Sequence, residues 1–203
     1  MKIIYIMGKS SAGKDTIYKI LKEKIDVKPY VLYTTRPIRT GEKEGIDYNY
    51  LTDEEMEQYF QDENSKVLES RTYNTVYGPW TYATILDNQF LSEKDLLMTG
   101  TLESYNALLK YFKNKKDIKI IPIYIEVDDG VRLERALKRE REQNNPKYIE
   151  LCRRFIADSQ DFSEENINKS GIKKRFQNNK LDDCINEIID YIGKYKKKRD
   201  LNR

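Results

Sequence analysis

Residues 6–17 read IMGKSSAGKDTI, with Gly8, Gly13 and Lys14 at the G-x-x-x-x-G-K spacing of a phosphate-cradling loop. In such a loop the glycines let backbone N–H groups converge on an anion across Ser10, Ser11 and Ala12. The following helix adds its partial positive charge, and Lys14 reaches the outer phosphates of a nucleoside triphosphate. The signature asks for a hydroxyl next, but Asp15 stands there and Thr16 carries the hydroxyl one position later. A carboxylate among phosphates is repelled unless a cation lies between them. Two readings stay open: Asp15 holds Mg²⁺ with Thr16 beside it, or Asp15 only favours the first turn of the helix.

Two further sets of residues suit phosphate. Arg36 and Arg39 lie in a Pro- and Gly-punctuated stretch, YTTRPIRTGEKEGIDYNYL (33–51), which is not expected to bury two guanidiniums. Both are therefore expected to face solvent or a ligand, and arginine forks suit phosphate oxygens. Arg135 and Arg139, at i and i+4 in RLERALKRERE, project from one helix face. The plainer reading of that segment is a solvated, salt-bridged helix.

The elements that must carry these residues follow from hydrophobic periodicity. KIIYIM (2–7) reads as a buried parallel strand, and Ile17, Ile20, Leu21 and Ile25 follow at helical spacing. Further strands are expected at 30–35, 66–70, 95–100 and 118–127, and helices at 52–61, 101–115, 129–143, 146–160 and 181–198. Thr52 and Glu55 have the spacing of a capping box. Strands alternating with helices predict an α/β domain with a mainly parallel sheet and ligands beyond the carboxyl ends of its strands. Residues 34–85 and 129–165 interrupt the alternation and read as insertions over that ligand face. The tail KYKKKRDLNR reads as a solvated, frayed helix end.

Composition narrows the chemistry. The 203 residues suffice for one full core, and 37 basic against 34 acidic residues give a net charge of +3, too balanced to imply a nucleic-acid or membrane partner. The sequence contains no histidine, which excludes Ser-His-Asp hydrolysis and His-ligated zinc. The two cysteines, Cys152 and Cys184, fall in expected helices and read as reduced thiols of a cytoplasmic protein. The apolar start is too short for a signal segment or a membrane span.

The stretch 33–51 resembles the hallmark of the guanylate kinases, TTR-x-x-R-x-G-E-x-x-G-x-D-Y, at Thr34, Thr35, Arg36, Arg39, Gly41, Glu42, Gly45, Asp47 and Tyr48. The resemblance runs on through VLES, VYGPWTYAT, the arginine-bearing segment and RFQNN. It implies a P-loop nucleoside-monophosphate kinase fold: a parallel-sheet core flanked by helices (1–33, 86–128, 166–203), an inserted monophosphate-binding lobe (34–85) and a helical lid (129–165). It further implies that Arg36, Arg39, Tyr48 and Tyr77 hold the acceptor phosphate, with Gly78 and Thr81 beside them, and that Glu69 pairs with the guanine edge. Arg135, Arg139 and Arg154 would close on the transferring phosphoryl group, and Asn178 would lie near the donor adenine. The implied reaction is ATP- and Mg²⁺-dependent phosphorylation of a nucleoside monophosphate, GMP or dGMP first among them, by a cytoplasmic monomer or homodimer.

The pattern departs from the family at four places. Met98 and Gly100 stand where a strand end usually carries aspartates, Leu32 where a hydroxyl residue often reads guanine, and Pro79 where a small hydroxyl residue follows Tyr-Gly. Asp15 is then a candidate to replace the lost charge near the metal. The GKD loop and the glycine strand end also resemble ribose 1,5-bisphosphate kinases, which remain an alternative. A guanylate-kinase-like module that binds protein and does no chemistry is another, although such modules generally lose the lysine loop.

Overall fold

The first apolar run forms β1 (Lys2–Met7), buried along its whole length, and yields at Gly8 to the loop that opens α1 (Lys14–Lys24). The computed structural model describes residues 1–39, 41–62, 66–75, 77–91 and 94–200; the last residues of the basic tail, 201–203, lie outside them. Along the chain follow β2 (Lys28–Pro29), β3 (Tyr33–Thr34), β4 (Asn49–Tyr50), α2 (Asp53–Gln61), β5 (Lys66–Thr75) and β6 (Gly78–Leu86). Then come β7 (Leu96–Gly100), α3 (Leu102–Phe112), β8 (Lys119–Glu126), α4 (Asp129–Arg141), α5 (Tyr148–Asp161), α6 (Glu164–Lys169), β9 (Arg175–Gln177) and α7 (Leu181–Asp200).

Five strands form a parallel sheet in the order β2-β7-β1-β8-β9. Side chains alternate across a strand, so β1 feeds two cores. Ile3, Tyr5 and Met7 pack with Leu102, Tyr105, Leu108 and Phe112 on the α3 side. Ile4 and Ile6 pack with Ile17, Leu21, Ile185, Ile188 and Ile192 of α1 and α7 on the other. Each fully buried aliphatic side chain contributes about 1.5–3 kcal/mol, so the sheet that carries the glycine loop is the most firmly held part of the molecule.

A second, four-stranded sheet in the order β4-β3-β6-β5 is the 34–85 insertion, with α2 closing its own small core through Met56. The expected capping box at Thr52 and Glu55 is present. One strand expectation needs correction. Residues 30–35 do not form one strand: Lys28–Pro29 pairs with β7, whereas Tyr33–Thr34 belongs to the second sheet. Val31 lies between them, its N–H donating to Gln89 Oε1 and its carbonyl accepting from Asn49 Nδ2 and Gln89 Nε2. Side-chain amides satisfy that backbone in place of a neighbouring strand, so the chain can leave one sheet and enter the other. The 66–70 expectation was too short, since β5 runs on to Thr75 as one arm of a long antiparallel hairpin with β6. Both cysteines are free thiols. No helix among the described residues is long and apolar enough to cross a membrane.

Candidate active site

The glycine loop turns sharply because three of its residues take positive φ: Gly8 at 152°, Ser11 at 62° and Gly13 at 92°. A methyl at Gly8 would sit 2.4 Å from the Ile125 carbonyl oxygen, and one at Gly13 would sit 2.4 Å from Asn178 Nδ2. Neither position tolerates a side chain. Ala12 is fully buried beneath the turn. Lys14 Nζ folds back to donate to the Lys9 carbonyl at 3.0 Å. Burial pulls its ammonium below the ordinary lysine value; Asp15 and Asp158 oppose the drop, while Arg132 and Arg139 add to it. An arriving polyphosphate would restore that charge. Asp15 and Thr16 are exposed in the first turn of α1.

The i, i+4 expectation for α4 is met, since Arg135 Nη2 donates to the Asn178 carbonyl at 3.2 Å and Arg139 Nη2 to Ser11 Oγ at 3.4 Å. Arg139 therefore reaches the loop itself, and Arg135 reaches it through Asn178, whose side chain bonds Ala12. Arg154 does not: its Nε pairs with Glu150 on its own helix at 2.9 Å, and its side chain is 48% exposed. Asn178 turns its amide into the loop and donates to the Ala12 carbonyl at 2.8 Å.

Sequence reasoning missed Arg132, one of the most buried large side chains in the protein. Its Nη1 donates to the Ser10 carbonyl at 2.8 Å, its Nε and Nη2 donate to Asp129 Oδ1, and its plane lies 4.7 Å from the Phe155 ring. Asp158 of α5 accepts from the Ser10 N–H at 2.7 Å and lies 3.6 Å from Arg132 Nη1. The available signal was spacing, because Arg132, Arg135 and Arg139 fall at i, i+3 and i+7 on one face.

Around the second sheet, the expectation that Arg36 faces solvent or ligand is overturned. Its side chain is 3% exposed. Its fork is filled by Glu42, with Nη2 to Oε1 at 2.9 Å and Nη1 to Oε2 at 3.0 Å, and it lies 5.2 Å from the Tyr48 ring centroid. A short-range acid three residues past Arg39 folds the loop back and hides the charge by pairing it. Burial alone would raise the Glu42 pKa, but hydrogen bonds from Arg36, Tyr50 and the Arg39 N–H outweigh it and leave it at about 2. Arg39 is exposed. Burial raises the Tyr48 phenol to about 12; Tyr82 and Asp15 add to the shift and Arg36 opposes it. Thr81 fastens β6 to β3 through Thr35, with its hydroxyl 2.8 Å from Thr72. Tyr77 is exposed beyond the Gly78 turn, stacked on Trp80 and 4.1 Å beneath Lys147. No described contact joins it to Arg36 or Tyr48.

Glu69 of β5 turns toward α3. Ser104 Oγ donates to its Oε1 at 2.6 Å, and Thr84 Oγ1 approaches the same oxygen at 3.5 Å. Its other oxygen, Oε2, is buried without a hydrogen-bond partner, alone in that respect among the described side-chain atoms. Burial is the main reason its pKa is raised, and Ser104 opposes the rise. A buried carboxylate oxygen left unpaired costs about 1–3 kcal/mol or more, so it marks a place where donors are missing. Met98 is fully buried in the core and no substitute for an acid.

The comparisons with known proteins agree along the chain. The Guanylate kinase family model matches residues 1–195. The chain is 30% identical over 198 residues to the guanylate kinase of Mycoplasma mobile, covering 94% of this chain and 92% of that protein. To the guanylate kinase of Mycoplasmopsis pulmonis it is 33% identical over 143 residues, covering 68% and 70%. The crystal structure of guanylate kinase from Anaplasma phagocytophilum is similar in fold, with a TM-score of 0.64 and 17% sequence identity over 96% of this chain and 86% of that one.

Proposed function

The chain belongs to the guanylate kinase family, and from that premise we propose that it moves the γ-phosphoryl group of ATP to GMP or dGMP, giving ADP and GDP or dGDP. The observation that carries the choice of acceptor is Glu69, whose Oε1 is pinned by Ser104 while its buried Oε2 has no partner. A carboxylate fixed in this way suits two adjacent N–H donors on a planar edge, which guanine offers. A sugar bisphosphate offers rotatable hydroxyls in their place, and a protein-binding module has no use for Lys14.

In this reading the second sheet is the acceptor lobe and α4 with α5 is the lid. Phosphoryl transfer through a loose transition state asks for alignment and charge neutralisation and little else. Lys14 and the loop N–H groups hold the donor phosphates, while Arg135 and Arg139 bring positive charge over the loop. Arg39 and Tyr48 meet the acceptor phosphate, and Arg36 holds their loop in shape through Glu42. Asp15 and Thr16 fit Mg²⁺, an ion that takes one or two protein oxygens and keeps waters and substrate phosphates for the rest. When bound, Mg²⁺ offsets the charge of the donor phosphates. Closure of lobe and lid excludes water.

The test is ADP release with ATP against GMP, dGMP, AMP, UMP, CMP and ribose 1,5-bisphosphate. Turnover with the two guanine nucleotides well above the other acceptors is expected. Turnover confined to ribose 1,5-bisphosphate would remove the guanine reading.

A further inference from the structure

The side chains of the second sheet sort onto two faces. Ala83 and Ile85 of β6 pack with Met56 in the small core under α2, so alternation along the strand sends Trp80, Tyr82 and Thr84 to the opposite face. Directly across from them in β5 stand Tyr73, Arg71 and Glu69. That face looks toward α3 and α5, because Glu69 meets Ser104 and Arg71 meets Glu103 and Asp161. Glu69 and Thr84 approach each other at one end of the row, and Tyr82 lies two residues, about 7 Å, further along β6. There its ring meets the Tyr48 ring edge-on at 5.8 Å and the Tyr73 ring at the same distance. Tyr82 therefore stands between Glu69 and the cluster of Tyr48 and Arg36.

The phenols gathered here differ in what they hold. Tyr50 donates to Glu42 at 2.7 Å, and Tyr73 accepts from Arg71 at 3.4 Å. Among the described residues the Tyr48 and Tyr82 hydroxyls have no hydrogen-bond partner, and neither oxygen is buried. Both are donors open to the cleft. Meanwhile two groups expected at the acceptor phosphate are committed elsewhere: Glu42 fills the Arg36 fork, and Tyr77 is stacked on Trp80 beneath Lys147. A phosphate monoester presents three strong acceptor oxygens, and an acceptor with its base at Glu69 extends its phosphate along this row. We propose that Tyr82 holds the acceptor's phosphate beside Tyr48 and Arg39, in the role expected of Tyr77. The phenol donates to a phosphate oxygen, while the ring braces Tyr48 through their edge contact. The proposal rests on the reading of the second sheet as the acceptor lobe.

Tyr82→Phe removes one oxygen and keeps both ring contacts, and a melting curve checks that the fold survives. The expected result is a rise of about tenfold in the GMP KM, the worth of one hydrogen bond to a charged group, with the ATP KM unmoved. Tyr77→Phe, which takes a hydroxyl from a ring already covered on both faces, gives a smaller rise.

A second readout needs no turnover. In calorimetric titrations without ATP, GMP should bind Tyr82→Phe about tenfold more weakly than the parent, while guanosine, which has the base and ribose but no phosphate, binds both proteins equally. A role in packing, or beneath the nucleoside, would weaken guanosine as well. Parallel loss of GMP and guanosine affinity overturns the assignment, and so does a GMP KM that Tyr82→Phe moves no more than Tyr77→Phe does. Should ribose 1,5-bisphosphate prove to be the acceptor, a comparable rise in its KM in Tyr82→Phe upholds Tyr82 as a phosphate-holding residue and overturns only the guanine reading.

Discussion

Two carboxylates, Glu42 and Glu69, are perturbed in opposite directions. Glu42 lies against Arg36, with the pair's side chains 22% and 3% exposed, and its pKa falls from 4.5 to about 2. A depressed folded-state value contributes stability that is present above the unfolded pKa and is lost as pH falls toward the folded one. Glu42→Gln should cost roughly 2 kcal/mol at pH 7, allowing for the water on its exposed side. In urea titrations the gap between variant and parent should close between about pH 4.5 and 2; a gap constant across that window counts against the pairing. Glu69 has the opposite sign. Its raised pKa means the folded protein holds a proton longer than the unfolded chain, so ionising it destabilises the fold until donors arrive. One acid is held ionised by its partners, and the other is left short of them.

Among the elements, α4 and α5 differ from a solvated, salt-bridged pair. Arg132 is buried in their contact and reaches the Ser10 carbonyl, while Asp158 takes the Ser10 N–H. The two helices thus grip both backbone polar groups of one residue in the glycine loop. Removing one partner of a buried ion pair commonly costs about 3–5 kcal/mol, because the other charge is left uncompensated. Arg132→Met, which keeps much of the volume, should raise the ATP KM by about tenfold if most of that loss falls on the loop's geometry. It should also speed hydrogen exchange in residues 8–13 and in α5 while leaving β1 protected. Unchanged exchange in the loop would separate the lid from donor binding.

Across the whole molecule, one side chain joins all three parts. Arg71 of β5 lies 2.9 Å from Glu103 of α3 and 3.3 Å from Asp161 of α5, and Lys147 caps the Tyr77 ring from the far side of the cleft. These contacts tie the second sheet to α3 and to α5. Arg71→Ala should loosen that arrangement, giving a larger radius of gyration for the nucleotide-free protein by small-angle scattering; an unchanged value counts against Arg71 as the tie. Much of this architecture is local in origin and was readable from the chain. An apolar run, two glycines and an amphipathic helix specify strand, loop and helix within 24 residues, and the capping box at Thr52 needs only its own turn. The alternation of strands with helices and the two interruptions follow from periodicity and polarity, and the family from spaced motifs. What the sequence could not settle is which charges meet. Ser10 and Asp158 are 148 positions apart, Glu69 and Ser104 are 35 apart, and the Tyr5 hydroxyl fills the Gly100 gap only because β1 and β7 pair in register. Residue types and spacing dictate backbone conformation through local sterics and hydrogen bonding. The burial of Arg36 and Arg132, the turning of Asn178 into the loop and the orphan oxygen of Glu69 depend on partners that only packing brings together.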